Sequence, residues 1–258
     1  MKLSIITCTY NSEKYLPQCI EAIESQELQI WDKIEHIIID WKSNDKTIPL
    51  LQWYKNRVNY PVKIIETPPM GIYNAYNRWI EFSSWEFILF YNSDDFLEKG
   101  CLKKVLKILY ENKNIDLFYG GINIVDENWF LIRKLPKFKY FMEWLNSFFI
   151  KFSCYITCPA VFYKRDLHSK FGFFDESLKI VADYKFWIEL SRKRIKTTYM
   201  PITISNFRSH KDSVSESARF KKRRIKELIG VFREQYWIFW YIYVIGYLIH
   251  TSLIERFF

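Results

Sequence analysis

Glycine is scarce in this sequence, with seven residues among 258. Neither the Gly-x-Gly-x-x-Gly pattern nor the Gly-rich Walker loop occurs in it, which argues against a dinucleotide-dependent oxidoreductase and a P-loop enzyme. Any bound diphosphate must then be neutralised by a metal ion or by basic and helix-terminal groups. Internal repeats and low-complexity linkers are also missing, so we expect one large α/β domain with at most a small appendage.

Cysteine is present but follows no disulfide or zinc pattern. The sequence has five cysteines, and Met1 leads directly into a strand-like segment without the regions of a signal peptide. Cys154 and Cys158 are four residues apart, and because no second pair lies nearby, we disfavour a zinc site. These features indicate a reducing, cytoplasmic compartment.

Positive charge is concentrated in one short stretch. The formal net charge is +9, and the densest basic cluster consists of Arg219, Lys221, Lys222, Arg223, Arg224 and Lys226. A basic protein raises the hypothesis of nucleic-acid binding. This cluster, however, directly precedes an aromatic and apolar segment, which is more typical of a contact with anionic lipids. We therefore predict no nucleic-acid partner.

Residues 219–258 are predicted to form a helical tail after a domain that covers residues 1–218. Within the tail, residues 236–254 carry no formal charge if His250 is neutral, and these nineteen residues approach the roughly 20 that a membrane span requires. Their tyrosines and tryptophans prefer the membrane interface, which favours a helix lying on the inner membrane face over a span. Packing on the domain or on a second subunit is the third alternative, so a homo-oligomer stays open.

Strand and helix signals alternate through the first two-thirds of the chain. Apolar β-rich runs at 3–7, 34–39, 62–65 and 86–91 are separated by helical patterns, one of them over 97–110. This alternation predicts βαβ units and a mostly parallel sheet. The later predicted elements are a hairpin turn at 125–129, helices over 140–151 and 183–194, and strands over 160–163 and 202–207.

Polar residues follow three of the predicted strands. They are Thr9, Tyr10 and Asn11 after the first strand, Asp40 after the second, and residues 92–95 after the fourth. Ligands of open α/β sheets bind at the carboxyl ends of the strands, so these residues should converge on one edge. Asp94 and Asp95 suit a hard divalent cation, although a turn with a helix cap explains the pair equally well.

Asp183 stands at the start of the predicted helix over 183–194. Aspartate is a preferred N-cap residue, and position alone favours that interpretation. A general base held by a rigid helix start is the functional alternative, and the two roles are compatible. Asn11 and Ser12 are further cap candidates, for the first helix.

Residues 2–215 carry six elements that together resemble family 2 glycosyltransferases with the GT-A fold. The first three are residues 4–11, Asp40 with residues 43–47 (usually D-G-G-S-T-D-G-T), and residues 71–77 (usually G-I-Y-D-A-M-N). The others are residues 92–95 (N-S-D-D), 173–176 with 182–184 (F-D-E…A-D-Y-D), and 207–210 with Ser213 and Ser215 (R-x-H…S-x-S). The resemblance implies a GT-A (Rossmann-like) α/β fold with a mostly parallel central sheet flanked by helices.

The resemblance also implies roles for the matching residues. The residues that would bind the nucleotide are Thr9, Tyr10, Asn11, Asp40, Asn77 and Asp94. Asp94 would hold ribose or metal, Asp95 would bind Mn²⁺ or Mg²⁺, and His210 would complete the metal or diphosphate site. Asp183 would take the proton from the acceptor hydroxyl in an inverting transfer.

Several positions depart from the family pattern: Trp41 and Lys42 replace two glycines, Asn74 an aspartate, Trp79 a glycine, Cys158-Pro159 a His-Gln pair, and Lys185 a second aspartate. The subgroup closest in pattern builds bacterial surface polysaccharides. We therefore expect a metal-dependent transferase that moves a sugar from a nucleotide diphosphate sugar, with UDP favoured over dTDP or GDP, to a lipid-linked saccharide at the membrane. A non-catalytic GT-A-like subunit that binds a membrane partner is the alternative, and the missing Gly-rich loop argues against a nucleotidyltransferase.

Overall fold

The computed structural model describes residues 2–26, 28, 33–135, 150, 156–193, 195–211 and 218–237, together with 241, 242, 244–246 and 249. The helix predicted over 140–151 lies outside the described residues apart from residue 150. Cys154, Ser213 and Ser215 lie outside them as well.

The sheet contains nine strands within the described part of the chain. They are β1 (Lys2–Thr9), β2 (Lys33–Asp40), β3 (Val62–Glu66), β4 (Phe87–Phe90), β5 (Phe96–Leu97), β6 (Leu117–Val125), β7 (Leu131–Leu135), β8 (Val161–Lys164) and β9 (Thr197–Arg208). Their order is β3-β2-β1-β4-β8-β6-β9-β5, with β7 paired to β6. The first four strands pair in parallel, as do β6 and β9, whereas β5, β7 and β8 pair antiparallel. The predicted α/β class is confirmed, and its parallel pairing is concentrated in the first half of the chain.

Helices flank both faces of this sheet. They are α1 (Leu16–Glu24), α2 (Thr47–Arg57), α3 (Ile72–Phe82), α4 (Cys101–Glu111), α5 (Asp166–Phe171), α6 (Ala182–Ser191) and α7 (Ala218–Tyr236), with a short 3₁₀ helix at Cys158–Ala160. The predicted hairpin turn after Val125 is confirmed, because β6 and β7 pair on either side of it.

Two predicted helix starts are wrong for local reasons. Leu97 belongs to β5 and pairs with Ser205, and Gly100 in the left-handed region (φ +67°) delays the start of α4 to Cys101. The first helix lacks the predicted cap: α1 begins at Leu16, whose N–H is bonded to the Ser12 carbonyl oxygen rather than to a side chain. Asn11 instead turns the chain with a positive φ of 47°.

The core lies on both faces of the sheet because side chains alternate along each strand. Leu3 and Ile5 of β1 point into a cluster that includes α1 and α4. Ile6 points into the opposite cluster, which includes α3, α6 and α7. Each fully buried aliphatic or aromatic side chain stabilises the fold by about 1.5–3 kcal/mol. The second cluster supports the helix that carries Asp183.

Helix α7 packs against the domain. Leu228, Val231 and Phe232 are spaced three and four residues apart and are buried in the cluster that includes α6. At the helix's edge, Glu227 accepts hydrogen bonds from the backbone N–H groups of Lys179 and Ile180 at 2.9–3.2 Å. The first part of the predicted tail is thus joined to the segment that precedes α6. Within the described residues, no helix has the length and apolar character needed to cross a bilayer.

Candidate active site

The carboxyl ends of β1 and β2 meet at an aspartate that receives several hydrogen bonds. Thr9 and Asp40 are register partners, and the Thr9 hydroxyl donates to Asp40 Oδ2 at 2.8 Å. The Ser43 N–H and hydroxyl donate to the two oxygens of Asp40 at 2.7 and 2.6 Å. Asp40 is fully buried. Its carboxylate therefore fixes the loop that follows β2, because a buried carboxylate must be hydrogen-bonded.

The loop after β4 joins the same edge of the sheet. Ser93 Oγ lies 3.0 Å from Ser12 Oγ, and the Asn11 side chain accepts the backbone N–H of Asn44 at 3.0 Å. The convergence of the three polar segments that the sequence predicts is confirmed. Tyr10 is 56% exposed at this edge, so its ring is open to a ligand.

Asp94 and His210 form a pair at this edge. His210 Nε2 lies 2.9 Å from Asp94 Oδ2, and the side chains are 9% and 30% exposed, respectively. The Tyr15 ring packs on the imidazole with ring centroids 5.1 Å apart. One carboxylate oxygen and one imidazole nitrogen at this distance form a donor set that suits Mn²⁺ or a similar divalent ion. Among the described residues, no group of three or more His, Cys, Asp or Glu side chains gathers around one point, so an ion here would need oxygens from a ligand such as a diphosphate.

Asp95 has a different environment from its neighbour. It is 1% exposed, and its two oxygens accept the Arg208 N–H and the Asn92 amide, each at 2.9 Å. Burial, and then the charge of Asp94, raises the pKa of Asp95 well above its usual range. Both oxygens are thus engaged within the protein, whereas the Asp94 carboxylate is partly open to solvent.

Arg208, the last residue of β9, links that strand to the loop after β4. It is 1% exposed, and its Nε donates to the Asp94 carbonyl oxygen at 2.9 Å. Its guanidinium group also bonds Gln18 and the Glu127 backbone, and it lies over the Tyr15 ring at 4.5 Å. Arginine suits such a position because its planar fork serves several acceptors at once.

Asp183 lies in the first turn of α6 rather than at its cap. The N-cap residue is Val181, so the predicted N-cap role of Asp183 is wrong. Its Oδ1 accepts the Tyr73 hydroxyl at 2.9 Å, and its Oδ2 accepts the Cys158 thiol at 3.2 Å. Burial raises the pKa of Asp183, although these hydrogen bonds oppose the shift. A half-buried carboxyl group with a raised pKa is a stronger base than an exposed one, provided that it is ionised.

Helix α3 contacts both Asp183 and β4, the strand that leads to Asp94. The charges of both carboxylates contribute, after burial, to raising the pKa of Tyr76. Tyr76 stacks on Phe90 of β4 with ring centroids 3.8 Å apart. Tyr73, three residues earlier on α3, donates to Asp183, so α3 connects the helix carboxylate with the strand that leads to the Asp94 loop.

The side chain of Asn77 forms hydrogen bonds within the protein. It is 8% exposed; its amide donates to the Phe174 carbonyl oxygen at 2.8 Å, and its Oδ1 accepts the Phe174 N–H at 2.9 Å. Its amide also lies 3.0 Å from Glu176 Oε1, and the Asn74 amide donates to Glu176 Oε2 at 2.6 Å. The two asparagines thus anchor the loop that leads to α6. The Asn77 amide nitrogen is used within the protein, so its expected nucleotide contact, which stays a prediction, would rest on the oxygen.

The departures at residues 41, 42 and 185 each have a local consequence. The Trp41 ring packs against the core cluster of α3 and α6, with Nε1 buried and without a hydrogen-bond partner in the described part of the chain. Lys42 adopts a φ of +54°, a conformation that favours the glycine usual there in the family. Lys185 pairs with Asp175 at 2.9 Å and with Glu234 of α7 at 2.7 Å, so it links two segments around α6.

Three residues of this site received no role from the sequence. Tyr73 stood within a recognised motif, Cys158 was noted only as a departure, and Arg208 only as part of the closing element. Tyr73 and Cys158 lie 110 and 25 positions from Asp183, so only the tertiary structure brings them together. Their positions inside recognised elements were the available signal.

Comparisons with known proteins agree on one family. The family model described as glycosyl transferase family 2 matches residues 4–171, a segment that includes Asp94 and ends before Asp183 and His210. An uncharacterized glycosyltransferase of Methanocaldococcus jannaschii is 26% identical over 187 residues, which are 72% of this chain and 63% of that protein. The PGL/p-HBAD biosynthesis glycosyltransferase of Mycobacterium tuberculosis is 25% identical over 209 residues, with 79% and 75% coverage.

A further relative also has a solved structure. The poly(ribitol-phosphate) beta-N-acetylglucosaminyltransferase TarS of Staphylococcus aureus is 32% identical over 112 residues, which are 43% of this chain and 19% of TarS. The structure of TarS residues 1–349 with UDP-GlcNAc superimposes with a TM-score of 0.69 at 23% identity, covering 90% of this chain and 67% of that one. The full TarS crystal structure gives a TM-score of 0.67 at 24% identity, covering 91% of this chain and 39% of that chain. The GT-A-like fold is thereby confirmed.

Proposed function

The chain belongs to glycosyl transferase family 2, and from this premise we propose that it transfers a sugar from a nucleotide diphosphate sugar to an acceptor hydroxyl with inversion. The observation that carries the proposal is the half-buried Asp183 carboxylate, whose pKa burial raises, on a helix that α3 connects to the strand leading to the Asp94–His210 pair. One base is sufficient for a single displacement, whereas a retaining hydrolase needs two opposed carboxylates around the sugar.

In this reaction Asp183 acts as the general base. The acceptor O–H bond breaks as its oxygen bonds to the anomeric carbon, and the proton passes to Asp183. The bond from the anomeric carbon to the diphosphate breaks, and the nucleoside diphosphate leaves with the electron pair. An alcohol is a weak acid, so a positioned base accelerates its attack by about 10²–10⁴-fold.

The test is Asp183→Asn, which keeps the shape and removes the base. Screening UDP-sugars for UDP release, with Mn²⁺ present and water as acceptor, selects the donor for the assay. We expect the variant to lose about 10²–10⁴ in rate, while calorimetry shows UDP bound as tightly as by the wild type. Near-normal turnover would remove Asp183 from the mechanism.

Thr9, Tyr10, Asn11 and Asp40 are proposed to form the nucleotide end of the site. Because Thr9 and Asp40 are buried and bonded to each other, they would shape the loop, and the exposed Tyr10 ring would contact the base. We propose a UDP-linked donor because TarS, 32% identical over 112 residues, has been crystallised with UDP and with UDP-GlcNAc. A GDP-linked donor is the second choice, since an archaeal mannosyltransferase of similar fold binds GDP-Man and Mn²⁺.

For the metal we propose Asp94 and His210 as the residues that hold Mn²⁺ or Mg²⁺. Asp94 is partly open and next to the imidazole, whereas both oxygens of Asp95 already accept hydrogen bonds. This assigns Asp95, the expected metal ligand, to supporting the loop. A bound divalent ion would neutralise the charge of the leaving diphosphate.

The variants Asp94→Asn and Asp95→Asn serve as controls for each other. Asp94→Asn should abolish the gain in UDP affinity that Mn²⁺ confers, measured by calorimetry with and without the ion. Asp95→Asn should lower the free energy of unfolding by about 1–3 kcal/mol, because it disturbs a buried hydrogen-bond network, while the Mn²⁺-dependent gain persists. The reverse pattern would restore Asp95 as the ligand.

We propose that the acceptor is a lipid-linked saccharide used for a cell-surface polysaccharide, at the inner face of the cell membrane. Basic side chains on α7 are exposed, among them Lys221, Lys222 and Lys226. Large apolar side chains beyond it are exposed too: Trp237, Tyr241, Ile242, Ile245 and Ile249. Basic groups beside exposed apolar ones are typical of contacts with anionic membranes. The relative TarS acts on poly(ribitol-phosphate), which supports an acceptor of polymeric type.

The membrane proposal needs a truncation that spares the domain. Deletion after Ser217, at the predicted domain boundary, would also remove the buried face of α7. Deletion after Trp237 keeps that face. We expect this shorter deletion to reduce sedimentation with vesicles containing phosphatidylglycerol while UDP release continues. Unchanged sedimentation would refute the membrane role of the tail.

The alternative of a non-catalytic subunit draws on the substitutions at residues 41, 42, 74 and 158–159. The chain retains Asp94, His210 and Asp183, the residues to which we assign metal binding and proton transfer, which favours the enzyme. UDP release that depends on Asp183 would decide for catalysis.

A further inference from the structure

Two different donors hold the two oxygens of the Asp183 carboxylate. The Tyr73 hydroxyl reaches Oδ1 at 2.9 Å from α3, and the Cys158 thiol reaches Oδ2 at 3.2 Å from the 3₁₀ helix. The phenol is a strong donor and the thiol a weak one. Oδ1 is therefore held firmly, and Oδ2 keeps more of the carboxylate's basicity.

Tyr73 has one hydroxyl hydrogen and two acceptors for it. Its oxygen lies 2.9 Å from Asp183 Oδ1 and 2.8 Å from the Ile180 carbonyl oxygen. Because a phenol donates one hydrogen, it can point fully to only one of them at a time. An ionised Asp183 attracts that hydrogen strongly, since bonds to charged acceptors are stronger than neutral ones. When Asp183 becomes protonated, the hydrogen can turn to Ile180 without losing a partner.

Cys158 can change roles in a matching way. Its thiol donates to the ionised Oδ2, and its sulfur is a weak acceptor for a protonated Oδ2. Burial keeps Tyr73 protonated, because it raises the pKa of that phenol well above its usual range. Tyr73 therefore does not compete with Asp183 for the proton.

We propose that Tyr73 and Cys158 are positioning residues that hold Asp183 in place in both of its protonation states, because each can change the hydrogen bond that it makes when the carboxyl group gains or loses a proton. The inference deepens the proposed function and rests on it. The acceptor's proton arrives on Oδ2, the Tyr73 hydrogen turns from Oδ1 to the Ile180 carbonyl, and loss of the proton to solvent resets both. Cys158 stands where the family commonly has a His-Gln pair, so this chain uses a thiol for a task that the resemblance did not reveal.

Other ionisable groups near Asp183 contribute to the electrostatic potential at its carboxylate. The buried phenols of Tyr76 on α3 and Tyr163 on β8 have a raised pKa, partly because of the Asp183 charge. Asp94 acts on the same Tyr76 phenol from the loop after β4. Lys185, two residues along α6, is engaged with Asp175 and Glu234. Changes confined to Tyr73 and Cys158 leave these groups in place.

The experiment is the pH dependence of kcat/KM for Mn²⁺-dependent UDP release from the selected UDP-sugar. Tyr73→Phe and Cys158→Ala each remove a hydrogen-bond donor to the ionised carboxylate, which should raise the pKa of Asp183. The acidic limb of the pH profile of kcat/KM should therefore move to higher pH, by about one unit for Tyr73→Phe. Cys158→Ser restores a group that both donates and accepts, so its limb should lie at or below that of the wild type. The KM for the donor should stay within about twofold in all three.

Each alternative result has a separate meaning. A fall in activity at every pH without movement of the limb, with Cys158→Ser no better than Cys158→Ala, would refute the inference and leave only a packing role. If Tyr73→Phe does not fold, as judged by circular dichroism, the two Cys158 variants decide alone. Full activity of Asp183→Asn would instead overturn the proposed function itself.

Discussion

Phe232→Ala should show whether α7 is an integral part of the domain. The Phe232 ring is fully buried and meets the Tyr184 ring edge-on, with centroids 6.2 Å apart. Truncating a buried phenylalanine typically costs about 3–5 kcal/mol, because it removes buried area and leaves a cavity. The helix also has buried Leu228 and Val231, which allow little collapse around the gap. We expect a loss of about 3 kcal/mol in the free energy of unfolding.

The assay is urea denaturation followed by tryptophan fluorescence and, separately, by circular dichroism. Trp237→Ala is the matched control, because Trp237 is 75% exposed just beyond the same helix. Its change should stay within about 0.5 kcal/mol, as for other surface substitutions. Tyr184 follows Asp183 directly, so Phe232→Ala should also slow UDP release, with the donor KM less affected than kcat.

A clear result would refute the reasoning. If Phe232→Ala unfolds at the same urea concentration as Trp237→Ala, α7 contributes no more than an exposed segment does. A separate early transition that involves only part of the helical signal would indicate that α7 detaches first. A single shifted transition is the outcome that we expect of a helix within one cooperative unit.

Three more predictions follow from buried polar groups. His36 and His168 are buried, which lowers their pKa from 6.5 to about 3 and about 4, respectively. The stability that they contribute as neutral groups is complete above pH 6.5 and is lost as the pH falls from there toward 4, by about 1.4 kcal/mol per pH unit for each. Urea titrations at pH 7 and pH 5 measure this loss. Asn77→Asp should cost about 1–3 kcal/mol by opposing a carboxylate to the Phe174 carbonyl, with UDP affinity by calorimetry unchanged. Arg208→Lys should weaken Mn²⁺-dependent UDP binding, because an ammonium group cannot serve the same set of acceptors.

The sheet and the strand-end site could be predicted because their signals are local. Runs such as residues 34–39 are apolar at most positions, as buried parallel strands are, and the polar residues after them must share an edge. The division of roles between Asp94 and Asp95 could not be read from adjacent identical residues. It depends on which carboxylate the Arg208 and Asn92 groups reach, and those contacts are set by the folded loop.

The surface that the tail contacts could be predicted only in part, for a different reason. Its dense positive charge predicts a membrane contact, whereas the structure shows that apolar residues of α7, three and four positions apart, pack against the domain. Both signals coexist in one segment, because long basic side chains can occupy the face opposite to the packed one. Only the structure shows which surface the apolar face meets.

The Lys185–Glu234 pair and the buried face of α7 also bear on how the protein matures during synthesis. Residues 218–236 leave the ribosome after every element that they contact, so α6 emerges with one side uncovered. Until α7 packs on the domain, the backbone N–H groups of Lys179 and Ile180 lack their acceptor, Glu227. Helix α6, which carries Asp183, then lacks its contacts with α7. Activity should therefore arise only after residue 236 has emerged, and a nascent chain stalled before residue 218 would expose an apolar surface that chaperones recognise.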